Sequence, residues 1–259
     1  MDLGISGRKA IVCASSRGLG LACATSLARE GVEVWINGRD AGRLDEAAAR
    51  IAAATGAQVH RVVGDMSLAE GRAAVLAACP DPDILVNNNH GPRSGRLADL
   101  EPADWEAAVA ANMIAPIEMM RAVLPGMRAR RFGRVVNITS AQVKAPTVDM
   151  GLSVAARAGL MAMTKSAQAE SVADNVTINN LLPGPFRTDR LMELAKRRSA
   201  AEGIDIEEAF ARIGRRGPAG RIGDPSEFGD ACAFLCAAQA GFISGQHLAL
   251  DGGAYQGLI

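Results

Sequence analysis

Short apolar runs alternate with longer helical patterns along most of the 259-residue chain. Uninterrupted apolar runs are typical of strands covered on both faces, and their alternation with helices favours right-handed βαβ crossovers and a parallel sheet. The predicted strands are 10–14, 32–37, 58–63, 84–87, 134–139, 177–182 and 247–250. The predicted helices are 19–30, 41–54, 67–78, 102–112, 115–130, 152–171 and 225–238. The pattern predicts an α/β protein with about seven parallel strands flanked by helices.

One long irregular stretch, from about Pro183 to Gly223, follows the sixth predicted strand. It holds helix-forming residues at 191–198 and 206–213 between ends rich in glycine and proline. Because ligands bind at the carboxyl ends of parallel strands, a long insertion there is a candidate lid. No repeat or linker interrupts the chain. We therefore expect one domain over residues 1–259, with a substrate lid at about 188–217.

Charge and composition exclude several classes of partner. The 28 basic and 28 acidic residues cancel, the sequence pI is about 6.8, and aromatic residues make up 3% of the chain. Such a chain offers neither a basic surface nor a stacking platform, so we expect no nucleic-acid partner. The apolar stretches fall short of a membrane span and the N-terminus lacks a signal-peptide pattern. No membrane partner and a cytoplasmic location are expected.

The five cysteines predict neither a disulfide scaffold nor a metal site. Their number is odd, no C-x-x-C pair occurs, and all but Cys79 lie in apolar parts of predicted strands or helices. Reduced thiols in the core are the expected state, and no bound metal is expected.

A glycine-rich turn joins the first predicted strand to the first helix, in the segment Cys13-Ala14-Ser15-Ser16-Arg17-Gly18-Leu19-Gly20. Backbone N–H groups at a helix N-terminus can bind a pyrophosphate, and glycines at 18 and 20 allow the close approach. A G-x-G alone is a weak motif, but its position between strand and helix strengthens it. The turn predicts a Rossmann-type, doubly wound dinucleotide site, with an ordinary tight turn as the alternative.

The end of the second predicted strand indicates which dinucleotide binds. An acidic residue there would bind the ribose hydroxyls of NAD, but the segment from Trp35 to Arg39 contains none. Arg39 and Arg17 are placed to meet a 2′-phosphate, which favours NADP over NAD. A solvated loop charge is the alternative for Arg39.

From about residue 7 to residue 253 the chain resembles the short-chain dehydrogenase/reductases, and among them the 3-oxoacyl-carrier-protein reductase-like branch. Residues 13–20 occupy the place of the family's T-G-x-x-x-G-x-G, with Cys13 and Ala14 replacing the threonine and the first glycine. Residues 87–90, N-N-N-H here, stand where the family has N-N-A-G. Residues 183–188 match its P-G motif and residues 251–253 its D-G-G. The resemblance implies a single doubly wound domain that binds a dinucleotide.

The resemblance also implies roles for individual residues. Asn112 and Ser140 match the catalytic asparagine and serine, Asp65 and Met66 match residues beside the adenine, and Thr188 matches a threonine that touches the nicotinamide carboxamide. The cofactor-binding residues expected are Ser15, Ser16, Arg17, Gly18, Leu19, Gly20, Arg39, Asp65, Met66, Asn88, Arg157, Pro183, Gly184 and Thr188.

The chain departs from the family at its acid–base pair. The family has Y-x-x-x-K about thirteen residues after the serine, where this chain has Ser153 and Arg157. In the family, tyrosine protonates the oxygen that hydride transfer leaves. Serine is a far weaker acid and a whole ring shorter, and losing a positioned acid typically costs about 10² to 10⁴ in rate. Arg157 can still hydrogen-bond the nicotinamide ribose, but it stays charged.

Other groups are candidates for the missing acid. Lys144 lies four residues after Ser140, at the carboxyl end of its strand, and a desolvated lysine can donate a proton. His90 stands where the family has glycine and faces the cofactor crevice. The alternative for Lys144 is an ordinary surface lysine, and the alternative for His90 is a packing variant without a catalytic role. The catalytic set expected from the sequence is Ser140, Asn112, Ser153, Arg157, Lys144 and His90.

Three functions remain open. The first is an NADP(H)-dependent oxidoreductase acting on a small carbonyl or alcohol substrate with an unusual proton donor, which the retained cofactor motifs favour. The second is a non-catalytic NADP-binding protein, which the loss of Y-x-x-x-K favours. The third is a non-redox enzyme, for elimination, isomerisation or dehalogenation, in which Ser153, Arg157 and Lys144 would bind an anionic substrate.

The resemblance implies a homodimer or homotetramer. Its interface would be a four-helix contact made by the predicted helices 115–130 and 152–171. Their Ala- and Met-rich faces carry Met113, Met119, Met120, Met161 and Met163. Ordinary core packing by these flexible side chains is the alternative.

Overall fold

The computed structural model describes residues 2–258, which form a seven-stranded sheet in the order β3-β2-β1-β4-β5-β6-β7. The strands are β1 (Lys9–Val12), β2 (Glu33–Gly38), β3 (Val59–Val63), β4 (Ile84–Asn87), β5 (Gly133–Ile138), β6 (Val176–Pro183) and β7 (His247–Leu250). All neighbouring pairs are parallel. The strand order reverses at β1 and β4, where doubly wound sheets bind ligands outside the carboxyl ends. The predicted fold class is confirmed.

Helices cover both faces of this sheet. They are α1 (Gly18–Arg29), α2 (Ala41–Thr55), α3 (Ala69–Ala78), α4 (Pro102–Val109), α5 (Ala115–Ala129), α6 (Gly151–Ser171), α7 (Asp189–Glu202), α8 (Ile206–Gly214) and α9 (Pro225–Cys236). Leu27 of α1, Ile51 of α2 and Phe228 of α9 pack in one core. Residues of α3, α5 and α6 pack in the other. The continuously apolar strands predicted a helical layer on each face of the sheet, because such strands are buried on both faces.

Helix α4, a π-helical turn (Ala110–Ile114) and α5 form one continuous helix over Pro102–Ala129. By length and composition this helix could cross a membrane, so the expectation that every apolar stretch falls short of a span was wrong. The buried core helix of a soluble protein passes the same test. Helix α5 buries Met119 and Met127 beside the sheet.

The methionines expected at a helix–helix interface divide into two groups. Met119, Met120 and Met161 are buried within this chain, as core packing predicts. Met163 is 38% exposed and Met113 is half-buried. The dimer or tetramer therefore stays a prediction that rests on fewer residues than the sequence suggested.

All five cysteines are buried and unbridged. Cys79, which the sequence placed outside the apolar segments, is buried in the same core as Cys13. Burial raises the pKa of both thiols to about 12, so both are protonated and unreactive at neutral pH.

The predicted irregular stretch contains α7 and α8, which form a small core of their own through Ala195, Ala209 and Phe210. Their bounds agree with the two helical patterns read within 183–223. The pair follows β6 and therefore begins beside the crevice at the carboxyl ends of the strands.

Candidate functional site

The glycine-rich turn after β1 is packed too closely for side chains. A Cβ on Gly20 would lie 2.7 Å from the Ala14 carbonyl oxygen and 2.8 Å from Asn88 Nδ2. Gly18 has a left-handed φ of 59°, which glycine adopts without strain. The first turn of α1 carries no acidic side chain that could neutralise the positive end of the helix. The N–H groups of this turn are therefore available to an anionic ligand. The turn fits a pyrophosphate.

Ala14 occupies a glycine-like position in this turn. Its φ of 45° is left-handed, which costs a non-glycine residue about 1 kcal/mol or more. The buried side chain of Asn37 holds it there: Oδ1 accepts from the Ala14 N–H at 3.2 Å, and Nδ2 donates to the Val62 and Gly64 carbonyls at 3.0 Å each. Sequence reasoning missed Asn37, although a polar residue near the end of an apolar strand was the signal.

Ser15 also belongs to the scaffold of the turn. It is fully buried, its hydroxyl donates to the Val12 carbonyl at 2.6 Å, and its oxygen accepts from the Asn37 N–H at 3.1 Å. Its side chain therefore positions the turn, while Ser16, beside Gly38, and half-buried Leu19 flank it.

The two arginines expected to meet a 2′-phosphate both lie at the mouth of the crevice. Arg39 pairs with Asp65 at 3.6 Å, and Arg17 pairs with Asp189 at 3.4 Å. Partial burial raises the pKa of Asp65, but hydrogen bonds from Ser67 and the charge of Arg39 outweigh it and hold the pKa below its ordinary value. Both arginines are more than half exposed and can turn from these weak surface pairs toward a phosphate.

The loop after β4 closes the other side of the crevice. Asn88 Nδ2 donates to the Ala14 carbonyl at 3.0 Å, which joins this loop to the glycine-rich turn. Asn89 Nδ2 donates to the Ala111 carbonyl at 3.0 Å, so Asn89 Oδ1 must face the other way, toward His90. Asn88 thus lies where the sequence placed it.

That orientation fixes the tautomer of His90. Its Nδ1 lies 2.9 Å from Asn89 Oδ1, an atom that can only accept, so Nδ1 carries the proton. Partial burial and the positive charges of Arg39, Arg157 and Arg190 lower the pKa of His90, against the opposing charge of Asp65. His90 is therefore neutral near pH 7, with a lone pair on Nε2.

Asn112 lies in the π-helical turn between α4 and α5. It is buried, and its Nδ2 donates to the Ala108 carbonyl at 3.3 Å. With Asn88 and Met66 it lines an interior pocket behind the crevice. The π-turn inserts one extra residue into the helix, and Asn112 lies within it with its side chain buried. Helical periodicity alone did not predict this turn.

Ser140 follows β5 and caps a 3₁₀ turn, Ala141–Val143, where its Oγ accepts from the Gln142 N–H at 3.2 Å. Lys144 ends this turn, and its Nζ lies 4.7 Å from the centroid of the Tyr255 ring. The half-buried lysine thus holds a cation–π contact with the chain's single tyrosine. The C-terminal tail reaches the site through this contact.

Ser153 and Arg157 lie one turn apart on the buried face of α6. Arg157 Nη1 donates a hydrogen bond to Ser153 Oγ. Arg157 is 8% exposed, and its Nε has no hydrogen-bond partner among the described residues. Burial, with the nearby charge of Arg190, lowers the pKa of Arg157 to about 10. A buried cation with an unused donor is costly unless a ligand accepts from it.

The segment after β6 completes the crevice. The Gly184 N–H donates to the Leu250 carbonyl at 2.9 Å, and a Cβ on Gly184 would lie 2.7 Å from Asp251 Cα. Thr188 precedes α7, and its Cγ2 would lie 3.7 Å from a Cβ on Gly18. The P-G segment and the glycine-rich turn therefore meet.

A set of buried polar residues supports the floor of the site. Asn87 Nδ2 donates to Asn137 Oδ1 at 2.9 Å, and Asn137 Nδ2 donates to Asn180 Oδ1 at 3.3 Å. Asn180 Nδ2 lies 2.9 Å from His247 Nδ1. These residues are paired in register across β4, β5, β6 and β7, which the linear sequence did not reveal.

Comparisons with known proteins agree with this geometry. A family model described as enoyl-(acyl carrier protein) reductase matches residues 13–255. A D-beta-hydroxybutyrate dehydrogenase from Cupriavidus necator is 32% identical, covering 96% of this chain and 98% of its own. A 3-oxoacyl-[acyl-carrier-protein] reductase from Vibrio cholerae is 31% identical, and the match covers 98% of this chain and 99% of the reductase.

A solved structure is also close. The L-sorbose reductase of Gluconobacter frateurii, complexed with NADPH and L-sorbose, superposes with a TM-score of 0.95 at 29% identity, and the match covers 100% of both chains. Fold, site geometry and relatives agree over nearly the whole sequence. The chain belongs to the short-chain dehydrogenase/reductase family.

Proposed function

We propose that this protein is an NADP(H)-dependent oxidoreductase that interconverts a small carbonyl compound and its alcohol, with Ser153 and Arg157 at the reacting oxygen. The observation that carries the proposal is the buried pair on α6, in which a cation that has no ion-pair partner among the described residues is hydrogen-bonded to a hydroxyl. The coarser assignment, an oxidoreductase of this family, rests on the matched relatives.

The residues present fit the cofactor. A Cβ would fill the cradle at Gly20, and the orphaned Nε of Arg157 can donate to ribose hydroxyls. Residues of the turn, with Asn88, Gly184 and Thr188, would hold the dinucleotide, and Arg39 and Arg17 would bind a 2′-phosphate, which favours NADP over NAD. The bound nicotinamide supplies or takes the hydride. NADPH in the sorbose reductase supports this choice.

The chain's own residues would stabilise the oxygen that becomes negative during reduction. Ser153 Oγ accepts from Arg157, which leaves the serine's own proton free to donate to that oxygen. The fixed charge of Arg157 acts in a buried setting, where electrostatic stabilisation of an oxyanion is strong. Ser140, at the end of β5, adds a second hydroxyl. This arrangement replaces proton transfer from tyrosine by electrostatic stabilisation.

The proton itself would come from Lys144 or from water that it orients. Lys144 ends the same turn that Ser140 begins. His90 fits this role less well, because the neutral ring already donates its one proton to Asn89. Its free Nε2 suits a base that accepts the proton of an alcohol in the oxidative direction. The α7–α8 pair, within 188–217, is the proposed substrate lid.

The test is NADPH oxidation, followed at 340 nm, with a panel of ketones, aldehydes and diketones. We expect turnover with at least one compound, a loss of about 10²-fold in Ser153→Ala, and a smaller loss in Lys144→Met. Tight NADPH binding without any turnover would support the non-catalytic alternative. Activity gained only in Ser153→Tyr with Arg157→Lys would show that the wild-type pair cannot replace the acid.

A further inference from the structure

The C-terminal tail, residues 251–258, turns back on itself directly after β7. The Asp251 carboxylate accepts from the N–H groups of Gly253 and Tyr255 at 2.9 Å each. Gly252 and Gly253 have left-handed φ values of 67° and 79°, which most other residues adopt only with strain. Two successive glycines and a capping carboxylate therefore fix where the Tyr255 side chain can lie.

Neighbouring segments hold this tail at the crevice. The Ala219 N–H, in the segment that follows α8, donates to the Gly252 carbonyl at 3.0 Å. A Cβ on Gly184, in the P-G segment, would lie 2.7 Å from Asp251 Cα. The start of the tail thus packs against both the end of the proposed lid and the segment that completes the crevice.

The Tyr255 ring lies against the ammonium group of Lys144. Lys144 Nζ is 4.7 Å from the ring centroid, within the range of about 6 Å over which an aromatic face attracts a cation. Among residues 2–258, the Lys144 side chain forms neither an ion pair nor a hydrogen bond. Because a lysine stem is flexible, the ring is the group that restricts this ammonium to one place.

The Lys144 side chain leaves the backbone at the turn that carries Ser140. That turn follows β5, and Ser140 begins it while Lys144 ends it. Restricting the ammonium near this turn sets its distance from the crevice, and proton transfer needs a donor within hydrogen-bond reach of its acceptor. If the ring only filled space beside the tail, another apolar side chain would serve equally well.

We propose that Tyr255 is a positioning residue for Lys144, and that its ring holds the ammonium beside the Ser140 turn for proton transfer. This rests on the proposed function, in which Lys144 donates the proton or orients the water that does. The proton passes to the oxygen that hydride transfer makes negative, and a neutral amine left behind regains a proton from solvent. The Tyr255 hydroxyl takes no part in this step.

The first test observes the contact without turnover, by carbon-13 NMR of lysine-labelled, ligand-free protein. An aromatic face shifts a group above it upfield, so the Lys144 ε-methylene should resonate upfield of the other lysines, and Lys144→Met identifies its signal. Tyr255→Phe keeps the ring and should keep the shift, whereas Tyr255→Leu should abolish it. Leu258→Ala, at an exposed position of the same tail, is the matched control and should leave the shift unchanged. An unshifted Lys144 signal in wild type would overturn the proposal.

The second test measures NADPH oxidation with the best carbonyl compound of the panel. Tyr255→Leu should lower kcat by about 10-fold, as Lys144→Met does, with little change in KM, and Tyr255→Phe should retain the wild-type kcat. The double variant of Tyr255→Leu with Lys144→Met should be no slower than Lys144→Met alone, because the ring acts only through the lysine.

Each other outcome has a distinct meaning. An equal loss in Tyr255→Phe and Tyr255→Leu would overturn positioning by the ring and assign the step to the hydroxyl. Full activity in Tyr255→Leu, or independent losses in the double variant, would also overturn it. An upfield Lys144 signal in a wild type that oxidises NADPH with none of the compounds would reject the proposed function while keeping Tyr255 as the residue that positions Lys144.

Discussion

Arg157 donates a hydrogen bond to Ser153 one helical turn earlier, and both side chains are buried. The spacing of four residues places them on one face of α6, where side chains i and i+4 meet. Because the guanidinium has no carboxylate partner among residues 2–258, its charge is available to a ligand.

Arg157 should destabilise the protein without ligand. Replacing a buried, uncompensated cation by methionine, of similar length, should raise the free energy of unfolding by about 1–2 kcal/mol and Tm by about 2–8 °C. Arg157→Lys keeps a charge and should give no such gain. Differential scanning calorimetry of the three ligand-free proteins measures this, and a lower Tm in Arg157→Met would show that the guanidinium stabilises the fold.

Gly20 should be essential for the turn. A methyl group there meets Ala14 and Asn88 at less than van der Waals distance, so Gly20→Ala must displace the backbone. We expect destabilisation by about 1–3 kcal/mol and loss of NADP⁺ binding. Gly42→Ala, in α2, has room for its methyl and should be neutral or stabilising. Urea unfolding and NADP⁺ titration of both variants measure these effects. Normal cofactor affinity in Gly20→Ala would refute the claim that the cofactor needs a glycine at this position.

Arg39 should select the phosphorylated cofactor. Arg39→Ala removes a charge-assisted contact to a 2′-phosphate, and we expect the Kd for NADPH to rise by about 10-fold or more while that for NADH changes little. Arg50→Ala, an exposed arginine on α2, is the control for net charge. Fluorescence titration with both cofactors measures the ratio. An equal loss for both would mean that Arg39 does not contact that phosphate.

His90 should titrate below its ordinary pKa of 6.5, because partial burial and three nearby arginines disfavour its charged form. Since its folded pKa is lowered, neutral His90 favours the fold above pH 6.5, and that contribution is lost as the pH falls through the lower value. Nitrogen-15 NMR of the imidazoles, with His90→Asn for assignment, should show the Nδ1–H tautomer. A protonated Nε2 at pH 7 would return His90 to the role of acid.

The sequence predicted the sheet and the helices because each depends on local patterns. Apolar strands bounded by turns led to all seven strands, and the G-x-G at 18–20 marked the close-packed turn between β1 and α1. The family's Y-x-x-x-K spacing pointed to Ser153 and Arg157, and residues four apart share one face of a helix. These features need no knowledge of which distant residues meet.

What the sequence missed depends on contacts between distant segments. The Arg190 guanidinium contacts Gly91 only because α7 packs against the loop that follows β4. The tautomer of His90 follows from Asn89, whose orientation Ala111 fixes from another helix. The cation–π contact of Lys144 needs the tail after β7. The residues in each of these contacts are far apart in the sequence, and no regular spacing between them predicts the contact.

The central claim is that Arg157 stabilises charge at the reacting oxygen. The most direct test is the single-turnover rate of NADPH oxidation by the preformed protein–NADPH complex, in wild type and Arg157→Met, with a saturating concentration of the best carbonyl substrate from the panel. We predict turnover by the wild type and a rate about 10² to 10³ lower in the variant. Equal rates, or a wild type that binds NADPH without oxidising it in the presence of any carbonyl compound, would contradict this claim.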